Sequence, residues 1–282
     1  MRANPRGEVP EMAMRRAARL LGALIAALFL LPPCMIVISS FMDGEELSVI
    51  YSDRHAFRLI PCEATLSGYW ELLFASQAYL AAFWNSLWIA ASATALNAGI
   101  SLVAGYALAR ARFRGRGGVL FLYGFVMLLP FQVTLLPNYL LARALHLYNT
   151  WWALVLPCAF APMGAVLLRQ FIRELPGEML EAAYMDTDSH LRVLAQIVAP
   201  NVRAGLLAAA VLTFAESWNM VEQPLILLED AWLQPLSLRL DALASSALDV
   251  RFSGAVLYMI PAILLYFLFE NELIDGVKHL KL

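Results

Sequence analysis

Charged residues are scarce in this 282-residue chain: Asp, Glu, Lys and Arg make up 15% of it, where soluble proteins average roughly 25%. Apolar residues make up 61%, and the mean hydropathy is +0.67. The net charge of −2 is not the basic balance that a nucleic-acid-binding protein needs. These shortages exclude an ordinary soluble domain and a nucleic-acid partner, and they predict an integral membrane protein.

Paired cysteines and a phosphate-binding loop are also missing from the sequence. The three cysteines, Cys34, Cys62 and Cys158, form no CxxC pair, so we interpret them as small apolar packing residues. The histidines show no metal-like spacing with them, and no metal site is predicted. Without a GxxxxGK[ST] sequence the chain is not expected to hydrolyse ATP, and we predict no catalytic residue, no metal and no cofactor of its own.

What the sequence does contain is long apolar runs. A hydrocarbon core of about 30 Å requires about 20 helical residues, and six runs come close to that length or exceed it. Nothing alternates with the period of two that a membrane strand needs, so we predict an all-α integral membrane protein formed by one transmembrane domain. The predicted spans are residues 17–41, 81–109, 118–140, 151–170, 204–228 and 253–269.

The arginines and lysines set the predicted orientation, because cytoplasmic loops collect them. The side of the N-terminus carries Arg2, Arg6, Arg15, Arg16, Arg19, Arg110, Arg112, Arg114, Arg116, Arg169, Arg173, Arg192, Arg203, Lys278 and Lys281. The opposite side carries only Arg54, Arg58, Arg143, Arg239 and Arg251. Both termini are therefore predicted to be cytoplasmic in a multi-pass plasma-membrane protein.

Two connections are long enough to do more than join helices. Residues 42–80 are predicted to lie outside, and residues 171–203 inside. The 42–80 connection is acidic, which suits a docking surface for a soluble partner or a merely solvated loop, and the sequence leaves both open. Its acidic residues are Asp43, Glu45, Glu46, Asp53, Glu63 and Glu71.

The 171–203 connection is predicted to form a helix, a turn and a second helix. Pro176 suits a helix start, residues 186–189 suit a turn, and a second stretch over residues 190–199 is expected to end at Pro200. Small residues at Ala182 and Ala183 are expected to be exposed and to let another protein approach closely. Flanking carboxylates that could pair with that protein's basic residues are Glu178, Glu181 and Asp186.

This stretch resembles the EAA loop of the membrane subunits of ATP-binding-cassette importers. The family pattern is E-A-A, three residues, G, nine residues, I, one residue, L-P. Here it reads Glu181-Ala182-Ala183, Thr187 in the glycine position, Ile197, and Ala199-Pro200. Because glycine permits a left-handed turn that threonine tolerates poorly, we expect the turn at Thr187 to differ in shape.

The resemblance extends from about Leu66 to Lys278 and points to the carbohydrate-uptake branch, specifically the smaller permease of maltose-type importers. It is carried by Asn85-Ser86-Leu87, Tyr106 to Arg110, Arg112 to Arg116, Leu129-Pro130, Gln132 to Thr134, Leu168 to Phe171, Phe214, Ser217 to Asn219, and Gly276 to Lys278. The sequence departs from the family at Met220, often Asp, and at Gln223, often Trp.

The resemblance implies a division of labour with other chains. The partners would be a second homologous permease, two ATP-binding subunits that use ATP and Mg, and an extracytoplasmic solute-binding protein, all at a bacterial inner membrane. The EAA helix would insert into a cleft of the ATPase, so that ATPase closure moves the permease helices. The residues expected to couple the chain to the ATPase are Glu181, Ala182, Ala183, Asp186 and Thr187.

Charged residues inside a membrane are costly and usually functional, which singles out Glu216 and Glu222 in the fifth predicted span. Residues 216, 219 and 223 share a helical face, and we predict that it lines a sugar path. The predicted path residues are Glu216, Trp218, Asn219 and Gln223, with Trp218 stacking on a sugar ring. The alternative is that they bond to neighbouring helices. For Asn97 and Ser101 in the second span, hydrogen bonds between helices are the better explanation.

The substrate is the most open part of the prediction. A sugar or oligosaccharide importer is the main interpretation. A permease for a peptide, an amino acid or a phosphorylated polyol is the first alternative, and an ion-coupled secondary transporter is the second. An ion-coupled carrier should show interrupted helices and often internal repeats, and the sequence contains no obvious repeat.

Overall fold

The computed structural model describes residues 8–52, 60–243 and 246–279, and every regular element in those ranges is helical. The predicted all-α class is therefore confirmed. The helices are α1 Glu8–Ser39, α2 Gly44–Ser52, α3 Ser67–Trp70, α4 Gln77–Arg110, α5 Arg116–Leu128, α6 Phe131–Ala144, α7 Trp152–Ala159, α8 Pro162–Glu174, α9 Gly177–Asp186, α10 His190–Val193, α11 Ala199–Asn201, α12 Arg203–Trp218, α13 Glu222–Leu227, α14 Leu236–Ala242 and α15 Leu248–His279. Two π-helical turns are Glu71–Ala75 and Leu194–Val198.

Four stretches in the described residues are long and apolar enough to cross a membrane: Ala18–Ser39, Gln77–Arg110, Trp152–Glu174 and Leu248–Glu270. They match the first, second, fourth and sixth predicted spans. Two bent pairs of helices, α5 with α6 and residues His190–Asn201 with α12, bring the number to six if each pair is one span. Length and composition thus support four to six spans.

The third and fifth predicted spans are not the straight helices that their apolar runs indicated. The chain bends by 105° between α5 and α6, where Leu129 is extended (ψ 127°) before Pro130. A residue before proline avoids helical geometry, which explains the break. The fifth run leaves the helix at Asn219 and resumes in α13, whose first turn contains Pro224 at a position where the missing N–H costs little.

The chain divides into two compact units. The first contains Met1–Ala75 and Leu243–Leu257. Inside it, Ser67 Oγ donates to Asp249 Oδ2 at 2.9 Å, and Ser253 Oγ donates to the Ser40 carbonyl at 3.3 Å. Gly68 is needed there, because a Cβ atom would lie 2.6 Å from the Asp249 carbonyl oxygen.

The second unit contains Ser76–Ala242 and Tyr258–Leu282, and α4 lies at its centre against α7, α8 and α12. The Asn97 amide donates to the carbonyls of Cys158, Ala159 and Ala161 at 3.1–3.2 Å. Its Oδ1 accepts from Ser101 at 3.2 Å and from Thr213 at 3.1 Å. The predicted hydrogen bonds between helices are confirmed for Asn97, whose amide satisfies the carbonyls freed where α7 ends, whereas Ser101 bonds to Asn97 within α4.

The three cysteines were predicted to be packing residues. The packing interpretation suits Cys158, which is half-buried, but it is wrong for Cys34 and Cys62, whose side chains are exposed. Residues 53–59 of the 42–80 connection, with Asp53, Arg54 and Arg58, lie outside the described residues. The same holds for Arg2, Arg6 and Lys281 of the predicted cytoplasmic set.

Candidate functional site

The 171–203 connection has the predicted helix–turn–helix form. Helix α9 follows Pro176 as its N-cap, and α10 begins at His190 after the turn. The second stretch does not end at Pro200, however. It continues through the π-helical turn Leu194–Val198 into α11, which contains Pro200 and ends at Asn201.

The turn itself is held by short oxygen-bearing side chains. Thr187 Oγ1 accepts from the Ser189 N–H at 3.3 Å, and Ser189 Oγ accepts from the Arg192 N–H at 3.4 Å, capping α10. Thr187 has φ −156° and ψ 137°, which is extended backbone that any residue adopts. This turn therefore needs no left-handed residue at position 187, and the threonine fits it without strain.

One face of α9 packs inward. Leu180 and Ala183 belong to a buried apolar cluster, which we call the connection core. Ala183 is only 9% exposed, so the expectation that both alanines are exposed is wrong for Ala183. The cluster unites α9 with the ends of α4, α8 and α12. Its buried members are Ala109, Leu167, Leu168, Phe171, Ile172, Leu180, Ala183, Val193, Leu194, Val198, Val202 and Ala209.

The opposite face of α9 is exposed in the described chain. Glu181, Ala182 and Asp186 are exposed on it, as predicted, whereas Thr187 is half-buried. Sequence reasoning missed Met185, which is 87% exposed, and Leu191 after the turn, which is 72% exposed. The spacing of residues 178, 181, 182 and 185 along one helical face was the available signal for Met185.

Hydrogen bonds between side chains hold α9 in place. The hydroxyls of Tyr184 and Tyr106 are bonded to each other, and Tyr184 also bonds to His190 Nδ1 at 2.8 Å. Arg110, at the end of α4, donates to the carbonyls of Ile172 and Leu175 at the end of α8. Cations at a helix C-terminus satisfy its last carbonyls, so these contacts fix α8 and α9 to α4.

A second candidate site is a cavity of about 790 Å³ inside the second unit. Its walls come from α5, α6, α7, α8, α12 and α13, and it lies where the chain breaks at residues 129–130 and 219–221. Broken helices expose backbone and polar side chains at membrane depth only where protein or a water-filled cavity surrounds them. Such breaks are typical of substrate sites in transporters.

The structure brings most of the predicted path residues together in this cavity. Glu216, Asn219 and Gln223 line it, as does Glu222. Trp218 does not: it is 1% exposed, stacked on Phe214 at 5.7 Å and on Tyr258 at 5.4 Å between ring centroids. Sugar stacking on Trp218 is thus contradicted, because the indole points away from the face that carries Glu216 and Asn219.

Three further polar residues of the cavity come from α6, which the sequence reasoning did not connect to the fifth run. They are Gln132, Thr134 and Asn138. The Gln132 amide donates to both carboxylate oxygens of Glu222 at 3.3 Å. Because Gln132 and Glu222 are 90 positions apart, no periodicity in the sequence predicts their contact. Gln132 and Thr134 do belong to the sequence blocks that carry the family resemblance.

Comparisons with known proteins match this chain to one family and to several transport proteins. A family described as "Binding-protein-dependent transport system inner membrane component" matches residues 99–275. The chain is 29% identical over 260 residues to the arabinooligosaccharides transport system permease protein AraQ of Halalkalibacterium halodurans, covering 90% of this chain and 91% of that protein. It is 28% identical to the lactose transport system permease protein LacG of Rhizobium radiobacter, covering 69% of this chain and 72% of that protein.

The fold is shared with a solved structure. A chain from the crystal structure of a bacterial ABC transporter involved in the import of the acidic polysaccharide alginate superposes with a TM-score of 0.81. The alignment covers 95% of this chain and 99% of that one, at 20% sequence identity. The likeness at this identity concerns the fold.

Proposed function

Because the chain belongs to the family of binding-protein-dependent transport system inner membrane components, we propose that it forms, with a second permease, the path of an ATP-driven importer for a sugar or an oligosaccharide. The chain is a membrane permease and not an enzyme, and ATP hydrolysis belongs to separate subunits of such systems. The names of two relatives, which refer to the transport of arabinooligosaccharides and of lactose, support a sugar as the substrate.

The cavity is the observation that carries this proposal. Its amides, carboxylates and hydroxyl group can exchange hydrogen bonds with sugar hydroxyls, and its apolar wall, including Met127 and Met163, can contact the sugar ring faces. Asn219, which lines the cavity, is held by a hydrogen bond that Tyr258 Oη donates to Asn219 Oδ1 at 2.9 Å. We assign the substrate path to Glu216, Asn219 and Gln223, with Gln132 and Glu222 added from the structure.

Uptake by the reconstituted importer tests the path. Asn219→Ala should lower ATP-dependent uptake of labelled arabinooligosaccharide or lactose at least about fivefold if two substrate hydrogen bonds of roughly 0.5–1.5 kcal/mol each are lost. Asn201→Ala is a matched control, because both asparagines donate to the carbonyl four residues earlier, at 2.7 Å for Asn201 and 2.8 Å for Asn219. Unchanged uptake and unchanged coupling to ATP hydrolysis in both Asn219→Ala and Glu216→Ala would refute the path.

For coupling, we propose that the outer face of α9 binds an ATP-hydrolysing subunit through Glu181, Ala182, Met185 and Asp186. Ala183 and Thr187 then act indirectly, by holding α9 on the connection core and by shaping the turn. Movement of α9 would be transmitted as a rigid body through that core to α12, which is 16 residues, or about 24 Å, long and ends at the cavity.

The assembly proposed around this chain contains a second homologous permease, two ATP-binding subunits that hold ATP and Mg, and an extracytoplasmic solute-binding protein. Large apolar side chains on α1 and α5 support a lipid or permease neighbour, because nothing in the described chain covers them. Phe29 and Phe121 are each 76% exposed, and Leu128 is 83% exposed.

We further propose that the protein lies in a bacterial inner membrane with both termini and the 171–203 connection in the cytoplasm. Cys62, exposed in the 42–80 connection, offers a direct test. In a chain whose Cys34 and Cys158 are replaced by Ser, a membrane-impermeant maleimide should label Cys62 from outside intact spheroplasts. Labelling only after lysis would invert the orientation, and a Cys62→Ser chain sets the background.

A further inference from the structure

We infer that the cavity selects a sugar that carries no negative charge, and that Glu216 is the residue that discriminates. This inference rests on the proposed function and names the substrate class within it. The solved neighbour has the same fold and belongs to an importer of an acidic polysaccharide. The fold does not decide the charge of the substrate, so the side chains must.

The charges on the cavity wall are of one sign. Glu216 and Glu222 contribute two carboxylates, and among the described residues that line the cavity there is no Lys, Arg or His. Two carboxylates repel a third, and the repulsion grows where a bound sugar displaces water from the cavity. A sugar acid, sulfonate or phosphate would enter without a cation from this chain to compensate it.

The hydrogen-bonding capacity of the wall points the same way, because several of its donors are already engaged. The Gln132 amide donates to Glu222 at 3.3 Å, the Asn219 amide to the Ala215 carbonyl at 2.8 Å, and the Thr134 hydroxyl to the Phe131 carbonyl at 2.8 Å. An anionic group would compete for these donors, because the Thr134 hydroxyl and at least one N–H of each amide are already engaged.

Acceptors, by contrast, are available. Gln223 Oε1 is buried and has no hydrogen-bond partner in the described chain. Glu216, one turn before Asn219, is exposed in the described chain and lines the cavity with a carboxylate that can accept hydrogen bonds. A buried acceptor without a partner, such as Gln223 Oε1, is costly, so a ligand that supplies O–H donors complements this wall. An uncharged polyol or sugar does so.

Matched substrate pairs test the inference in the complete importer, reconstituted in proteoliposomes. Each pair shares its sugar skeleton and differs in a charged group, such as α-1,4-galactobiose and α-1,4-digalacturonate, whose hydroxymethyl groups are replaced by carboxylates, or a galactosyl glycerol and its phosphate ester. We expect ATP-dependent uptake of the neutral member of a transported pair to exceed that of the anionic member at least about tenfold, from a charge repulsion of roughly 1.4 kcal/mol. Preferential uptake of the anionic member would overturn the inference while leaving the sugar importer intact.

Glu216→Gln keeps the shape of the side chain and removes its charge. We expect it to lower the neutral-to-anionic uptake ratio about threefold, the square root of a tenfold preference, since one of two repelling carboxylates is gone. Glu229→Gln is the control: Glu229 is exposed, lies outside the cavity and accepts from the Tyr148 hydroxyl at 2.8 Å, so its ratio should stay unchanged. A ratio that is unchanged in Glu216→Gln, or equally lowered in Glu229→Gln, would overturn the role of Glu216. Uptake of a solute that is not a sugar, with no sugar transported, would overturn the proposed function and this inference together.

Discussion

The two ends of α12 are built in opposite ways. At its start, Val202 is 1% exposed and belongs to the connection core, where apolar side chains fill the space among α4, α8 and α9. At its end, Trp218 is equally buried, yet the next residue, Asn219, leaves the helix and enters a polar cavity. A single helix therefore joins a region that packs tightly to one that keeps hydrogen-bonding groups open.

This difference suggests why each end suits its proposed task. An apolar core has few alternative arrangements and passes displacement on without deforming, because protein interiors are close-packed. A broken helix end with acceptors in excess can instead change partners at small cost, as substrate binding requires. Substitutions at the first end should act on folding and coupling, and those at the second on uptake and selectivity.

The largest effect is expected from a charge placed in the connection core. Ala183→Asp buries a carboxylate beside Leu180, which should cost on the order of 3 kcal/mol or more and deplete the folded protein from the membrane. Ala182→Asp, one residue earlier on the exposed face, should leave folding intact and abolish copurification with the ATP-hydrolysing subunits. Monodispersity in detergent and pull-down yield measure the two effects.

The adjacent alanines act as controls for each other. Normal folding of Ala183→Asp would contradict the burial of this face, and normal copurification of Ala182→Asp would contradict docking through the opposite one. A Glu181→Ala chain that assembles and supports stimulated ATP hydrolysis as before would weaken the docking face further.

The next largest effect is expected near the start of α12, where Gly205 packs closely against Phe171. A Cβ atom on Gly205 would lie 2.6 Å from Phe171 Cδ2, so Gly205→Ala must displace a ring of the connection core. We expect a loss of about 1–3 kcal/mol, seen as a lower Tm in detergent. Gly99→Ala in α4, where nothing lies within 4 Å of a Cβ atom, should leave Tm unchanged or raise it slightly.

The sequence predicted more of the first region than of the second. Helix α9, its turn and the shared face of Glu216 and Asn219 follow from helical periodicity, which depends only on nearby residues. Which face of α9 packs inward, and which residues of α6 meet Glu222, depends on contacts between distant segments that leave no local pattern. The break between α5 and α6 could have been predicted from Pro130, but the long apolar run suggested an uninterrupted helix.

A smaller effect is expected where the second end of α12 is anchored. Tyr258 Oη donates to the Trp218 carbonyl at 3.0 Å and to Asn219 Oδ1 at 2.9 Å. Tyr258→Phe should cost about 0.5–1.5 kcal/mol in stability and should raise the KM for substrate-dependent uptake more than it lowers the maximal rate, because it frees Asn219 to reorient. Tyr266→Phe, an exposed tyrosine of α15, is the control. An equal response of the two variants would contradict the anchoring of Asn219.

The smallest effect is expected at Thr187, where the family has glycine. Since Thr187 is extended at φ −156°, glycine gains nothing from its access to left-handed backbone and loses the Thr187 hydroxyl that accepts from the Ser189 N–H. Thr187→Gly should therefore destabilise the turn by about 0.5–1 kcal/mol and lower coupled ATP hydrolysis slightly, whereas Thr187→Ser, which keeps the hydroxyl, should match the unmodified chain. Measured Tm and substrate-stimulated ATPase rates of the three chains decide the matter. Higher coupling in Thr187→Gly would mean that the docked turn adopts a left-handed conformation, and that the first end of α12 is less fixed than its packing indicates.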